Sequence, residues 1–84
     1  MSRTRKTLDA VVRGTSDGNI AFRDLLSLVR ALGFAEHVRG DHHIFSREGT
    51  AEIINLQPLG AKAKAYQVKQ VRQAIVRYRL GEAL

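Results

Sequence analysis

The side chains suited to chemistry gather in one stretch, Arg39-Gly40-Asp41-His42-His43-Ile44-Phe45. Histidine is the side chain whose unperturbed titration falls near neutral pH, which suits it to general acid–base work. A glycine and a short acid make a turn before the pair. Strand alternation then puts His42 with Ile44 on one face and His43 with Phe45 on the other. One imidazole must meet the protein interior and one the open side. His37, on the neighbouring strand, is a third candidate partner. A strand histidine is most often structural or merely exposed. Two adjacent ones after a Gly-Asp turn exceed what a core pattern asks for. Metal binding is the rival use. Adjacent strand histidines point apart, no carboxylate cluster stands near them in sequence except Asp41, and the chain has no cysteine. The ligand spacing of a zinc site is therefore missing, and no cofactor is expected.

A second group is Lys62-Ala63-Lys64, which leads into the last helix. Free backbone N–H groups and the positive dipole end favour an anion at such a helix start. Two lysines before it and Lys69 one turn in make a phosphate clamp. The plainer alternative is a solvated basic helix end. Arg72 flanks the apolar stripe of the same helix.

Charge supports an anionic partner. Fourteen Lys and Arg against eight Asp and Glu give a net charge of +6. The imbalance sits at the two ends. Residues 1–13 carry Arg3, Arg5, Lys6 and Arg13 against Asp9, and residues 62–79 carry six cations and no acid. Nucleic acid is the commonest partner for such a field, and an acidic protein is the second. No apolar run is long enough to span a membrane. The basic N-terminus is not followed by an apolar signal core, so a cytoplasmic location is expected. Eighty-four residues allow one domain.

The elements that must position these groups follow from periodicity. Residues 4–13 read as a short helix with Leu8, Val11 and Val12 on one side, Ser2 or Thr4 as cap and Gly14 as stop. Residues 14–19 read as a turn. Residues 22–32 form the clearest helix, with Phe22, Leu25, Leu26, Val29 and Leu32 as one buried stripe and Gly33 closing it. The period then changes to two, giving strands at 34–39, 42–46 and 51–56 joined by turns at Gly40-Asp41 and Arg47–Thr50. Residues 57–64 read as a loop around Pro58 and Gly60. Residues 65–79 read as the last helix, with Val68, Val71, Ala74, Ile75 and Tyr78 inward. The order α-α-β-β-β-α predicts an α+β fold with helices on one face of a three-stranded antiparallel sheet.

From Phe22 to Leu80 the chain resembles the HicA family of toxin–antitoxin ribonucleases. The marks are Leu32-Gly33-Phe34, the Arg39–Phe45 stretch, Ile53-Ile54-Asn55-Leu56, the basic loop at Lys62 and Lys64, and the amphipathic last helix. The resemblance implies a double-stranded-RNA-binding-like fold over 20–84, with 1–19 as an N-terminal helical extension. It implies a metal-independent endoribonuclease acting on mRNA, a toxin neutralised by a HicB-type antitoxin. It assigns the catalytic role to His42, the histidine directly after the turn. Arg39, His43, Lys62, Lys64, Lys69 and Arg72 are then the expected RNA- and phosphate-binding residues. Two departures stand out. Asp41 occupies a position where the family commonly has serine or glycine; a carboxylate there raises the proton affinity of His42 and repels phosphate. The segment after the third strand also lacks the histidine or serine often seen there.

Two other functions fit the same surface. One is a non-catalytic RNA-binding module of the same fold, which has no need of the His-His pair. The other is an interaction module whose basic face binds an acidic protein.

Overall fold

The computed structural model describes residues 2–84. Helix α1 spans Arg3–Arg13, and α2 spans Phe22–Ala31. Strands β1 (Ala35–Arg39), β2 (His42–Ser46) and β3 (Ile54–Leu56) form an antiparallel sheet in the order β1-β2-β3. Strands β4 (Pro58–Leu59) and β5 (Lys62–Ala63) form a separate small hairpin, and α3 covers Ala65–Tyr78. Short 3₁₀ turns occupy Asp17–Asn19 and Leu80–Ala83.

The caps explain the helix bounds. The Ser2 hydroxyl accepts from Arg5 N at 3.1 Å and starts α1. Gly14, at φ 73°, ends it in the left-handed conformation that a Cβ penalises. Leu8 and Val11 are buried, but Val12 is 45% exposed and Thr7 takes a buried place instead. The inward stripe of α1 is thus narrower than the sequence suggests. Leu8 and Val11 nonetheless lie in the same core as the inward residues of α2 and α3. The N-terminal helix is built into the body rather than hung on it.

The sheet register divides the strands into two faces. Phe45 stands opposite Glu36 on β1 and Ile54 on β3, and His43 opposite Val38 and Leu56. Phe45, Ile54 and Leu56 belong to the core shared with the helices. The alternate set is Ala35, His37, Arg39, His42, Ile44, Ser46 and Asn55, none of which is fully buried. One face is therefore covered and the other open, as alternation requires.

Two segments differ from the periodicity reading. Residues 51–53 lie outside β3, because Ala51 N donates to the Tyr78 hydroxyl at 3.0 Å rather than to a strand neighbour. Residues 57–64, expected as a loop, hold the β4–β5 hairpin, which pairs Pro58 with Ala63 and Leu59 with Lys62. Two residues per arm are too few to show a period. The hairpin is anchored to the start of α2 by Ala63 N donating to Ile20 O and Phe22 N donating to Ala61 O, both at 2.9 Å.

Candidate functional site

His42 begins β2 after a two-residue turn whose first residue, Gly40, has φ 60°. A positive φ there suits the twist of a tight hairpin. Alternation then turns His42 to the open face, with its side chain 45% exposed. Its ring Nδ1 lies 3.1 Å from Asn55 Oδ1 on β3. An amide oxygen accepts only, so Nδ1 carries the proton and donates. The neutral ring then keeps its lone pair on Nε2. That nitrogen lies 3.7 Å from Asp41 Oδ1, too far for a good hydrogen bond, and the carboxylate attracts the ring only once Nε2 is protonated. Asn55 thus orients the imidazole, and Asp41 is its charged neighbour.

Asp41 is itself held. Gln57 Nε2 donates to its two oxygens at 3.1 and 3.3 Å. This hydrogen bond, helped by His42 and Lys64 nearby, keeps the Asp41 carboxyl below its ordinary range. Gln57 Oε1 accepts from Lys64 Nζ at 2.9 Å. Hydrogen bonds therefore run from Lys64 through Gln57 to Asp41, and His42, bonded to Asn55, stands 3.7 Å beyond Asp41 in the same polar row. The two sequence-derived sites, the histidine turn and the basic helix start, meet on one surface. Gln57 and Asn55 were not singled out from sequence. Their signal is the spacing of two along β3 and its exit, which puts both amides on the face of His42.

Lys64 is the N-cap residue of α3, and it offers no side-chain cap hydrogen bond. The first turn has no acid. Gln67 N is taken by Lys64 O at 2.9 Å, and the N–H groups ahead of it have no side-chain cap, which suits water or an anion. Lys62 and Lys69 are exposed near this end. Arg39 is exposed and stands directly across the turn from His42 in the register.

Two expected phosphate ligands have other work. The Arg72 guanidinium is 19% exposed and donates to both oxygens of Asp17 at 2.8 and 3.0 Å and to Val11 O at 3.1 Å. This holds the Asp17 carboxyl below its usual range. Arg72 thereby ties the end of α1 and the following turn to α3, and its charge is neutralised inside the protein. Replacing Arg72 by Ala is expected to cost about 1–3 kcal/mol, seen as a lower Tm.

His43 turns toward the helices. Its Nδ1 lies 2.7 Å from Glu36 Oε2, and its ring meets Phe22 edge-on at 5.4 Å between centroids. Arg30 grips the same carboxylate at 2.8 and 2.9 Å. The chain Arg30–Glu36–His43 joins α2, β1 and β2 on the covered side, away from the open face. His37 stands across from Ile44 in the register rather than from His42.

Hydrogen bonding from Arg30 and then from His43 lowers the Glu36 carboxyl from its ordinary 4.5 to about 2. The unfolded chain therefore binds a proton at Glu36 before the folded one does. The stabilisation is complete above pH 4.5 and drains away as pH falls toward 2. After solvent screening it is on the order of 1–2 kcal/mol. Melting curves across that window should show Tm falling with pH, and Glu36→Gln should flatten the slope.

Among the described residues no three His, Cys, Asp or Glu side chains gather as a metal-ligand group. No helix among them is long and apolar enough to cross a membrane. Comparison with protein-family models, with curated proteins and with solved structures finds no match.

Proposed function

We propose that this chain is a metal-independent endoribonuclease that cleaves mRNA, with a double-stranded-RNA-binding-like fold, acting as the cytoplasmic toxin of a HicA-like pair. The supporting observation is His42: an exposed imidazole on the open sheet face, its tautomer set by Asn55, at the end of a polar row that begins at a basic helix start. Such a ring can take the proton of a ribose 2′-hydroxyl on Nε2. The 2′-oxygen then attacks the adjacent phosphorus, and the 5′-oxygen leaves and is protonated by the imidazolium or by water. Asp41 stabilises the imidazolium formed on the way. Lys62, Lys64 and Lys69 offset the charge that gathers on the phosphorane oxygens. Arg39, beside His42, reaches the next phosphate along the strand.

A HicB-type antitoxin neutralises such a toxin by covering the basic face and His42. The same face makes RNA binding salt-dependent, since each phosphate contacted releases counterions. The test is incubation of the folded protein with a long single-stranded RNA in excess EDTA. Cleavage that leaves 2′,3′-cyclic phosphate and 5′-hydroxyl ends is the expected result. Salt-sensitive binding without scission instead identifies a non-catalytic RNA-binding module.

A further inference from the structure

We infer that Tyr66 is a stacking platform for an unpaired nucleobase of the RNA whose phosphate lies at His42. This deepens the ribonuclease reading and rests on it.

The observation is an aromatic ring in an unusual place. The three phenylalanines, Phe22, Phe34 and Phe45, are buried in the core. Tyr78 is half-buried and its hydroxyl accepts from Ala51 N. Tyr66 alone among the aromatic residues is exposed, at 65%. It lies in the first turn of α3, between Lys64 and Lys69, in a stretch with no acid from 62 to 79. An exposed ring adds nothing to a core. On a cationic surface it offers a π-face to any base that the phosphate backbone brings near, whatever the base sequence.

The ring is also tethered to the site. The Tyr66 hydroxyl accepts from Gln67 Nε2 at 3.2 Å. Gln67 is only 3% exposed, and its Oε1 accepts from Gln57 N at 3.1 Å. Gln57 is the residue that grips Asp41 and Lys64. A buried glutamine with both ends engaged is therefore the bracket between the ring and the polar row that ends at His42. Holding the ring in place before RNA arrives lowers the ordering cost of stacking. An acidic protein is the competing occupant. The cations without acids favour it equally, but the flat exposed ring among them favours a base.

The test uses the absence of tryptophan from the chain. Tyr66→Trp in a His42→Ala background gives a cleavage-deficient protein whose one tryptophan, excited selectively over Tyr78, stands at the proposed platform. Titration with a short single-stranded RNA should quench its emission, and an abasic oligonucleotide of equal length should not. With His42 intact, Tyr66→Ala should raise KM for RNA about 5- to 100-fold, and Tyr66→Phe should recover most of that loss. Equal quenching by both oligonucleotides overturns the inference, as does a Tyr66→Ala enzyme with the KM of the parent. Those outcomes leave the ribonuclease reading standing. A parent protein that neither binds nor cleaves RNA removes both.

Discussion

His42→Ala should lower RNA cleavage about 10²- to 10⁴-fold while leaving the melting temperature close to that of the parent. The size follows from the role. A positioned base typically accounts for that range, and His37, the other imidazole on the open face, stands across from Ile44 rather than at the turn. The unchanged stability follows from position. The ring is nearly half exposed and contributes one side-chain hydrogen bond, to Asn55, at the turn end of the central strand. Asn55→Ala should keep the imidazole but free its tautomer. It should therefore lower kcat by less than His42→Ala and change KM little. Asp41→Asn should act differently again. It removes the negative charge beside Nε2 that stabilises the imidazolium formed in the reaction and repels phosphate, so it should lower kcat and KM together. RNA cleavage assayed from pH 5 to 9, with circular dichroism as the folding control, separates the three. Full activity in His42→Ala would transfer the chemistry elsewhere. An unfolded His42→Ala would make the residue structural.

Phe45→Ala should have the largest effect on stability. Phe45 is wholly buried on β2, the central strand, and paired with both neighbouring strands. Truncating a buried phenylalanine typically costs about 3–5 kcal/mol through lost transfer energy and the cavity left behind. A chain of this length has a total stability of about 4–13 kcal/mol on the usual per-residue scale. The variant should thus lose a large part of its margin and melt tens of degrees lower. Urea unfolding followed by far-UV circular dichroism measures it. Phe45→Leu should recover most of the loss, because it refills much of the cavity. A cost below about 1 kcal/mol would mean that the core is not centred on this sheet face.

The contrast between Phe45 and His42 also shows what separates stability from function here. They lie three residues apart on one strand, on opposite faces. The covered face holds the domain together, and the open face is left for polar groups. Arg72 blurs that division for a reader of the sequence. It looks like one more cation on a basic helix, yet it serves the interior through Asp17.

Much of this was legible in the chain itself. The 3.6-residue stripe of α2 and the caps at Ser2 and Gly14 mark two helices. The change to a period of two marks the sheet, and Gly40-Asp41 marks the turn that places the histidines. These signals are local, because they depend on neighbours within one helical turn or one strand. Alternation likewise shows that His42 and His43 must part. It does not show which of them faces out. That depends on where Phe45 and Ile54 meet the helices, a contact between segments far apart in sequence. The same holds for Arg72 with Asp17, 55 residues away, and for Gln67 with Gln57 across the β4–β5 hairpin. Periodicity decides which residues share a face. Only tertiary packing decides what that face meets, and so which charges remain free to act on a ligand.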